Sequence, residues 1–137
     1  MSINGYFTIA ATVLSLVSCN KESDSPQPDL NGKWELVSVE SSWGRQTYPR
    51  GNGNTLFFEN NSYTQNINHP DTTYQLSGTF SIYSAKPCEW SNEQPLIQFE
   101  DMQWPYIYSL SATTFTYSPP PDCIMDGGTF TYRKSIY

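Results

Sequence analysis

The residues of this chain whose types could do chemistry are a histidine, a pair of adjacent carboxylates and three cysteines. His69 is the only histidine. It precedes Pro70 in a turn-forming stretch, and no carboxylate near it is placed to orient it as the base of a nucleophilic triad. It reads as an exposed turn residue. Glu100 and Asp101 have the composition of a glycosidase pair, but adjacent residues of a strand project to opposite faces. They read as flanking a solvated turn. No group of His, Cys, Asp or Glu has the spacing of metal ligands. The expectation is a protein that is not an enzyme, with no catalytic residue, no metal and no cofactor.

Cys19 is the cysteine with the clearest setting. An apolar run from Tyr6 to Val17 leads to it, and Asn20-Lys21-Glu22-Ser23-Asp24 follows at once. The run is about a dozen residues, the length of a signal-peptide core and too short to span the roughly 30 Å of hydrocarbon in a bilayer. Leu16-Val17-Ser18-Cys19 resembles the lipobox of bacterial lipoproteins, although residues 1–5 lack the Lys or Arg usual before such a core. The resemblance implies removal of residues 1–18, lipidation of Cys19 with acyl chains such as palmitate, and an anchor in the outer membrane. Two or more acyl chains hold a protein stably where one holds it marginally. Residues 19–30 contain Ser, Asp, Gln and two prolines with almost no apolar side chain, and read as a flexible tether. Lys21-Glu22-Ser23-Asp24 is similar to the surface-export signals of Bacteroidetes lipoproteins, so the protein faces either the periplasm or the cell surface.

Positioning elements come from residues 31–137, enough for one small domain. The chain carries a net charge of −6, which disfavours nucleic acid and anionic lipid surfaces as partners. Aromatic residues make up 15% of it; Thr, Ser and Tyr abound and Ala is scarce after the leader, an all-β composition. Strands are expected over residues 33–40, 55–59, 62–68, 74–82, 96–100, 104–111, 113–118 and 129–135. Asn60-Asn61 marks a tight turn, and Gly78 a bend or a close backbone approach. Long loops are expected over 42–54, 84–94 and 119–128. Eight strands in chain order with mostly short links predict an antiparallel up-and-down β-barrel, whose closure removes both exposed edges.

Gly32-Lys33-Trp34 resembles the G-x-W signature of lipocalins, and Thr131-Tyr132-Arg133 resembles their terminal Arg. With Leu56-Phe57-Phe58, Gly78-Thr79-Phe80-Ser81-Ile82 and Phe130, the domain is similar to the lipocalin-like domains of Bacteroidetes lipoproteins. The resemblance implies that Arg133 lies across the Trp34 ring and closes one barrel end. Strand parity independently brings Trp34 and Arg133 to one end, where a guanidinium could stack on the indole. Asp71-Thr72-Thr73 also resembles the short O-glycosylation sequon of Bacteroidetes, with Thr72 as acceptor.

With Cys19 lipidated, Cys88 and Cys123 form an even pair in an oxidising compartment, which favours a disulfide. Parity opposes it, because the loops after the fourth and seventh strands lie at opposite ends of a simple meander, and the bond needs Cα atoms within about 7 Å. Both loops are long enough to fold back along the wall, so the pairing stays open.

Strand directions place Trp43, Tyr48, Tyr74, Phe99, Trp104, Tyr106, Tyr117 and Phe130 at the end opposite Trp34, facing away from the membrane. As a rim they could bind a small apolar or aromatic ligand, or the face of a glycan. A barrel of this size is just wide enough either to hold one small ligand or to fill with side chains. A hollow interior supports a membrane-anchored binding protein. A solid one supports a protein-interaction module, an accessory subunit or inhibitor acting through its long loops.

Overall fold

Alternation of apolar and polar residues, broken by Asn, Gly and Pro, folds the chain into nine antiparallel strands: β1 (Gly32–Ser41), β2 (Gly44–Thr47), β3 (Thr55–Glu59), β4 (Ser62–His69), β5 (Thr72–Ala85), β6 (Gln94–Phe99), β7 (Tyr106–Leu110), β8 (Thr114–Ser118) and β9 (Thr129–Lys134). The structure is a computed structural model that describes residues 29–124 and 126–136. The leader 1–18, Cys19 and the tether as far as residue 28 lie outside the described residues. Strands β1 and β3 to β9 pair in chain order, and β9 returns to pair with β1, closing an eight-stranded antiparallel barrel. The fold is the lipocalin-like barrel expected.

The strand β2 is additional and lies within the expected polar loop. Its residues Gly44-Arg45-Gln46-Thr47 are all exposed, so no apolar alternation marks them. They form a hairpin with the end of β1, Ser41 opposite Gly44 and Ser38 opposite Thr47. Between β3 and β4, Asn60 adopts φ 55°, a left-handed conformation that Asn tolerates well in tight turns. The domain also begins earlier than expected. Leu30, assigned to the tether by composition, is buried in the core, and its carbonyl accepts a 2.7 Å hydrogen bond from Trp34 Nε1. One apolar residue in a polar stretch is enough to plug a barrel end.

The wall is strongly staggered. Strand β5 pairs with β4 through Thr72–Thr79 but with β6 only through Phe80–Ala85. Such an offset accompanies the tilt that closes a barrel. The partner change falls beside Gly78, where an added Cβ would meet Glu100 Oε2 and Tyr63 Cε1, each at 3.1 Å. It is thus side chains, not another backbone, that approach this glycine. Glu100 fastens the crossover, its Oε2 accepting from Thr79 N at 2.9 Å and Thr79 Oγ1 at 3.1 Å. Asp101 accepts instead from the Tyr63 hydroxyl on β4. The two carboxylates diverge and pin the β6–β7 connection to the wall.

Stagger also resolves the cysteine question. Ser118, the end of β8, lies opposite Ile107; Ile107 lies opposite Leu96, and Leu96 opposite Tyr83. The end of β8 is therefore level with the beginning of β6, and the loops that parity separates are neighbours on the wall. Cys88 and Cys123 are joined with a Cα–Cα distance of 5.9 Å. The strand count stands; what parity leaves out is shear. Leu96 is buried but points away from the interior cluster to which Ile97 and Phe99 belong. Ser91 and Pro120, in the two bridged loops, are buried as well.

The bridge closes a segment of 35 residues, for which loop-closure entropy gives a stabilisation of about 3–4 kcal/mol. Replacing both cysteines by serine should lower the unfolding free energy from urea melts by that amount, with a matching fall in the midpoint, without changing the far-ultraviolet circular dichroism at 25 °C. An unchanged midpoint would show that the bridge contributes no stability.

Candidate functional site

Three places could carry function: the end closed by Trp34, the interior, and the opposite end with its loops. At the first, β1 and β9 lie in a register that sets Trp34 opposite Lys134 and Glu35 opposite Arg133. Directly opposed residues of an antiparallel pair share a face. Trp34, fully buried, thus shares the inner side with Lys134, whose ammonium sits 4.5 Å from the indole centroid. Lys134 Nζ also donates to the carbonyls of Asn31 and, at 3.3 Å, Asp29. Gly32 makes room for it: φ is +111°, and a Cβ would stand 3.1 Å from that nitrogen.

The cation over Trp34 is therefore Lys134 and not Arg133. Parity puts the terminal Arg at the correct end, but alternation turns it outward by one residue. There Arg133 meets Glu35, with Nε at 2.9 Å and Nη2 at 2.5 Å from Oε1, and Gly51 N donates to Oε2 at 2.7 Å. Burial works to raise the Glu35 carboxyl. The Arg133 and Gly51 hydrogen bonds and the charges of Arg133 and Arg50 outweigh it, holding the group below its ordinary pKa.

The interior is filled with rings. Phe58 contacts Phe80, Phe99 and Phe115 at centroid distances of 4.8, 6.3 and 5.6 Å. Tyr117 contacts Tyr106 at 5.3 Å and stacks on Phe130 at 4.9 Å. Its hydroxyl is bonded to that of Tyr132, which Gln65 also reaches; burial nonetheless pushes Tyr132 up to about 12. Among the described residues no buried side-chain nitrogen or oxygen lacks a partner. The interior is thus both packed and satisfied.

The eight candidate rim residues do not form one ring. Phe99 and Tyr117 lie in the core, and Tyr106 packs against them half-buried. Trp43 is 97% exposed at the β1–β2 hairpin, Trp104 is 58% exposed in the β6–β7 connection, and Tyr74 is exposed on β5. Of the eight, Tyr48 and Phe130 line a common cup, of about 170 Å³. Leu36, Gln65, Ile67 and Tyr132 line it as well. Strand direction identifies an end but not a depth, so residues placed at one rim are spread along the staggered wall. The cup is smaller than the roughly 300–1,000 Å³ of drug-sized ligand pockets.

Outside, Trp90 is 83% exposed in the loop that carries Cys88. Three of the four tryptophans therefore stand in solvent. His69 is exposed at the end of β4, and Thr72 is exposed opposite it at the start of β5, accessible to modification. Among the described residues no group of three or more His, Cys, Asp or Glu is placed to hold a metal ion. Comparison with protein-family models, curated proteins and solved structures finds no match.

Two measurements test the closed end. In fluorine NMR of 5-fluorotryptophan-labelled protein, Lys134→Ala should move the Trp34 resonance and Arg133→Ala should leave it in place. The reverse outcome would put Arg133 on the indole. For Glu35, a lowered folded pKa means that the ion pair stabilises fully above the unfolded carboxylate value of about 4.3 and loses that contribution as pH falls through the lowered value. Glu35→Gln should thus cost roughly 1–3 kcal/mol at pH 7, with the difference from wild type narrowing at acid pH in urea melts. A constant difference would exclude the linkage.

Proposed function

We propose that this protein is a lipid-anchored interaction module whose barrel is a rigid scaffold and whose ligand is another protein. The observation that carries the reading is the ring-filled interior. Phe58, Phe99, Phe115, Tyr117 and Tyr132 occupy the space that a small ligand would need. The cup above them would admit a single small side chain or ring rather than a lipid or an oligosaccharide.

Apolar area that a partner could bury lies outside instead. Trp43 and Trp104 follow the ends of β1 and β6, strands that run in the same direction, and Trp90 projects from a loop held by the disulfide. Exposed tryptophans on such loops lose little conformational entropy on binding and supply large contact areas, which is why Trp dominates energetic hot spots. The Cys19 anchor, with the signal 1–18 and the outer-membrane location, belongs to the same reading. The chain joins the barrel at the Trp34 end, so the tether leaves the Trp43 and Trp104 loops on the side away from the membrane. No nucleic-acid partner and no enzymatic step enter.

Native mass spectrometry of material extracted from the source membrane tests this. The expected spectrum shows the lipidated chain with one stoichiometric protein partner and no bound small molecule. Trp43→Ala with Trp104→Ala should weaken the complex by a factor of ten or more, since a single Trp hot spot exceeds about 2 kcal/mol. A small molecule that copurifies and survives desolvation would replace this reading with ligand carriage.

A further inference from the structure

A groove of about 320 Å³ lies on the outer wall of β1 and β9, beside the point where the chain joins the barrel. Lys33, Arg50, Arg133 and Lys134 line it, and among the described residues Glu35 is its one acid. These are four of the seven Lys and Arg in the chain, whereas of the acidic residues among the described residues Glu35 alone lines it. Such segregation concentrates positive potential in one concave place on an otherwise negative molecule. Like charges gathered this way repel, and the single carboxylate offsets only part of that repulsion.

We propose that this groove is a binding site for a phosphate group. Its arrangement is already that of an anion site, with Glu35 as the resident anion. One carboxylate oxygen takes the Nε–Nη2 side of Arg133 and the other takes the amide of Gly51. The remaining donors are uncommitted. Arg133 keeps Nη1 for a second acceptor, and the side chains of Arg50 and Lys33 make no hydrogen bond or ion pair among the described residues, although the Arg50 charge acts on Glu35. Arginine forks of this kind match tetrahedral oxyanions in two-point geometry, with lysine adding a point charge. Lys134 is held against Trp34 and the Asn31 carbonyl, and contributes field rather than a free donor.

A phosphate could reach the groove as a free phosphate monoester or as the headgroup of an anionic phospholipid. The site itself stands on the charges and the groove, independently of lipidation at Cys19 and of any protein partner. The test uses the full chain with Cys19→Ser, so that no acyl anchor contributes. In nitrogen-15 NMR at fixed ionic strength, inorganic phosphate should shift the Gly51 amide saturably while chloride leaves it unchanged. Lys33→Gln with Arg50→Gln, both exposed and outside the Trp34 closure, should weaken the phosphate effect by roughly tenfold, the scale expected for removing two nearby charges.

In a second arm, phosphatidylglycerol and phosphatidylcholine vesicles are compared by sedimentation. A phosphatidylglycerol preference that the double variant loses supports the site with a lipid headgroup as its source. Phosphate binding without such a preference supports it with a soluble phosphate. A Gly51 amide indifferent to phosphate, or a double variant that binds phosphate as wild type does, overturns the proposal.

Discussion

Packing aromatic rings into the limited bore of an eight-stranded barrel is the constraint on which the rest of this structure depends. The bore is just wide enough to be filled by side chains, and the Phe58–Phe115–Tyr117 contacts fill it across its width. Each such pair contributes about 0.5–1.5 kcal/mol beyond the burial of its area. The hydroxyls that come with the tyrosines must be satisfied inside. Tyr117 and Tyr132 therefore pair with each other, and Gln65 reaches Tyr132. Tyr63 instead reaches out to Asp101 and ties a connection to the wall. A core of this kind leaves little room inside for a small ligand, which is why the proposed recognition lies on the outside.

Shear is the second consequence of closure. Because β5 changes partner between Thr79 and Phe80, positions at one height on the barrel come from different depths along their strands. The same offset makes neighbours of the Cys88 and Cys123 loops, separates Phe99 from Trp104, and leaves Tyr48 and Phe130 as the rim candidates that line the cup. The disulfide and the dispersed aromatics thus have one cause. Leu96, directed away from the core cluster, is buried all the same.

Much of the barrel was legible in the sequence, because alternation and turn residues are local signals. The strands around Trp34, Phe58, Tyr63, Ile97, Phe115 and Tyr132 fall where alternation places them. Strand β2 was not legible, since Gly44–Thr47 is polar on both faces and is held only by pairing with β1. Leu30 was hidden by its neighbours, a single apolar residue in a stretch with tether composition. The candidate site was the least legible part. Whether Arg133 or Lys134 covers Trp34 depends on a one-residue register that no local pattern fixes. The two residues carry the same charge, so only the facing row tells them apart.

Net charge misleads in a similar way. A value of −6 describes the field far from the molecule, where it disfavours anionic partners. Within about 8 Å, the screening distance at physiological ionic strength, a ligand responds to the nearest few charges instead. Around Glu35 those are four cations, brought together by β1, β9 and the loop before β3 from positions as distant in sequence as Lys33 and Lys134. Their assembly needs the closing β1–β9 pairing, because Lys33 and Arg50 come from the beginning of the barrel while Arg133 and Lys134 come from its last strand. Closure that seals the interior against a ligand thus also builds the groove: the ladder that seats Lys134 on Trp34 turns Arg133 outward to Glu35. Sliding β9 by one residue would undo both at once, exposing the buried end and scattering the cations. The exterior charge pattern is therefore fixed with the accuracy of the core.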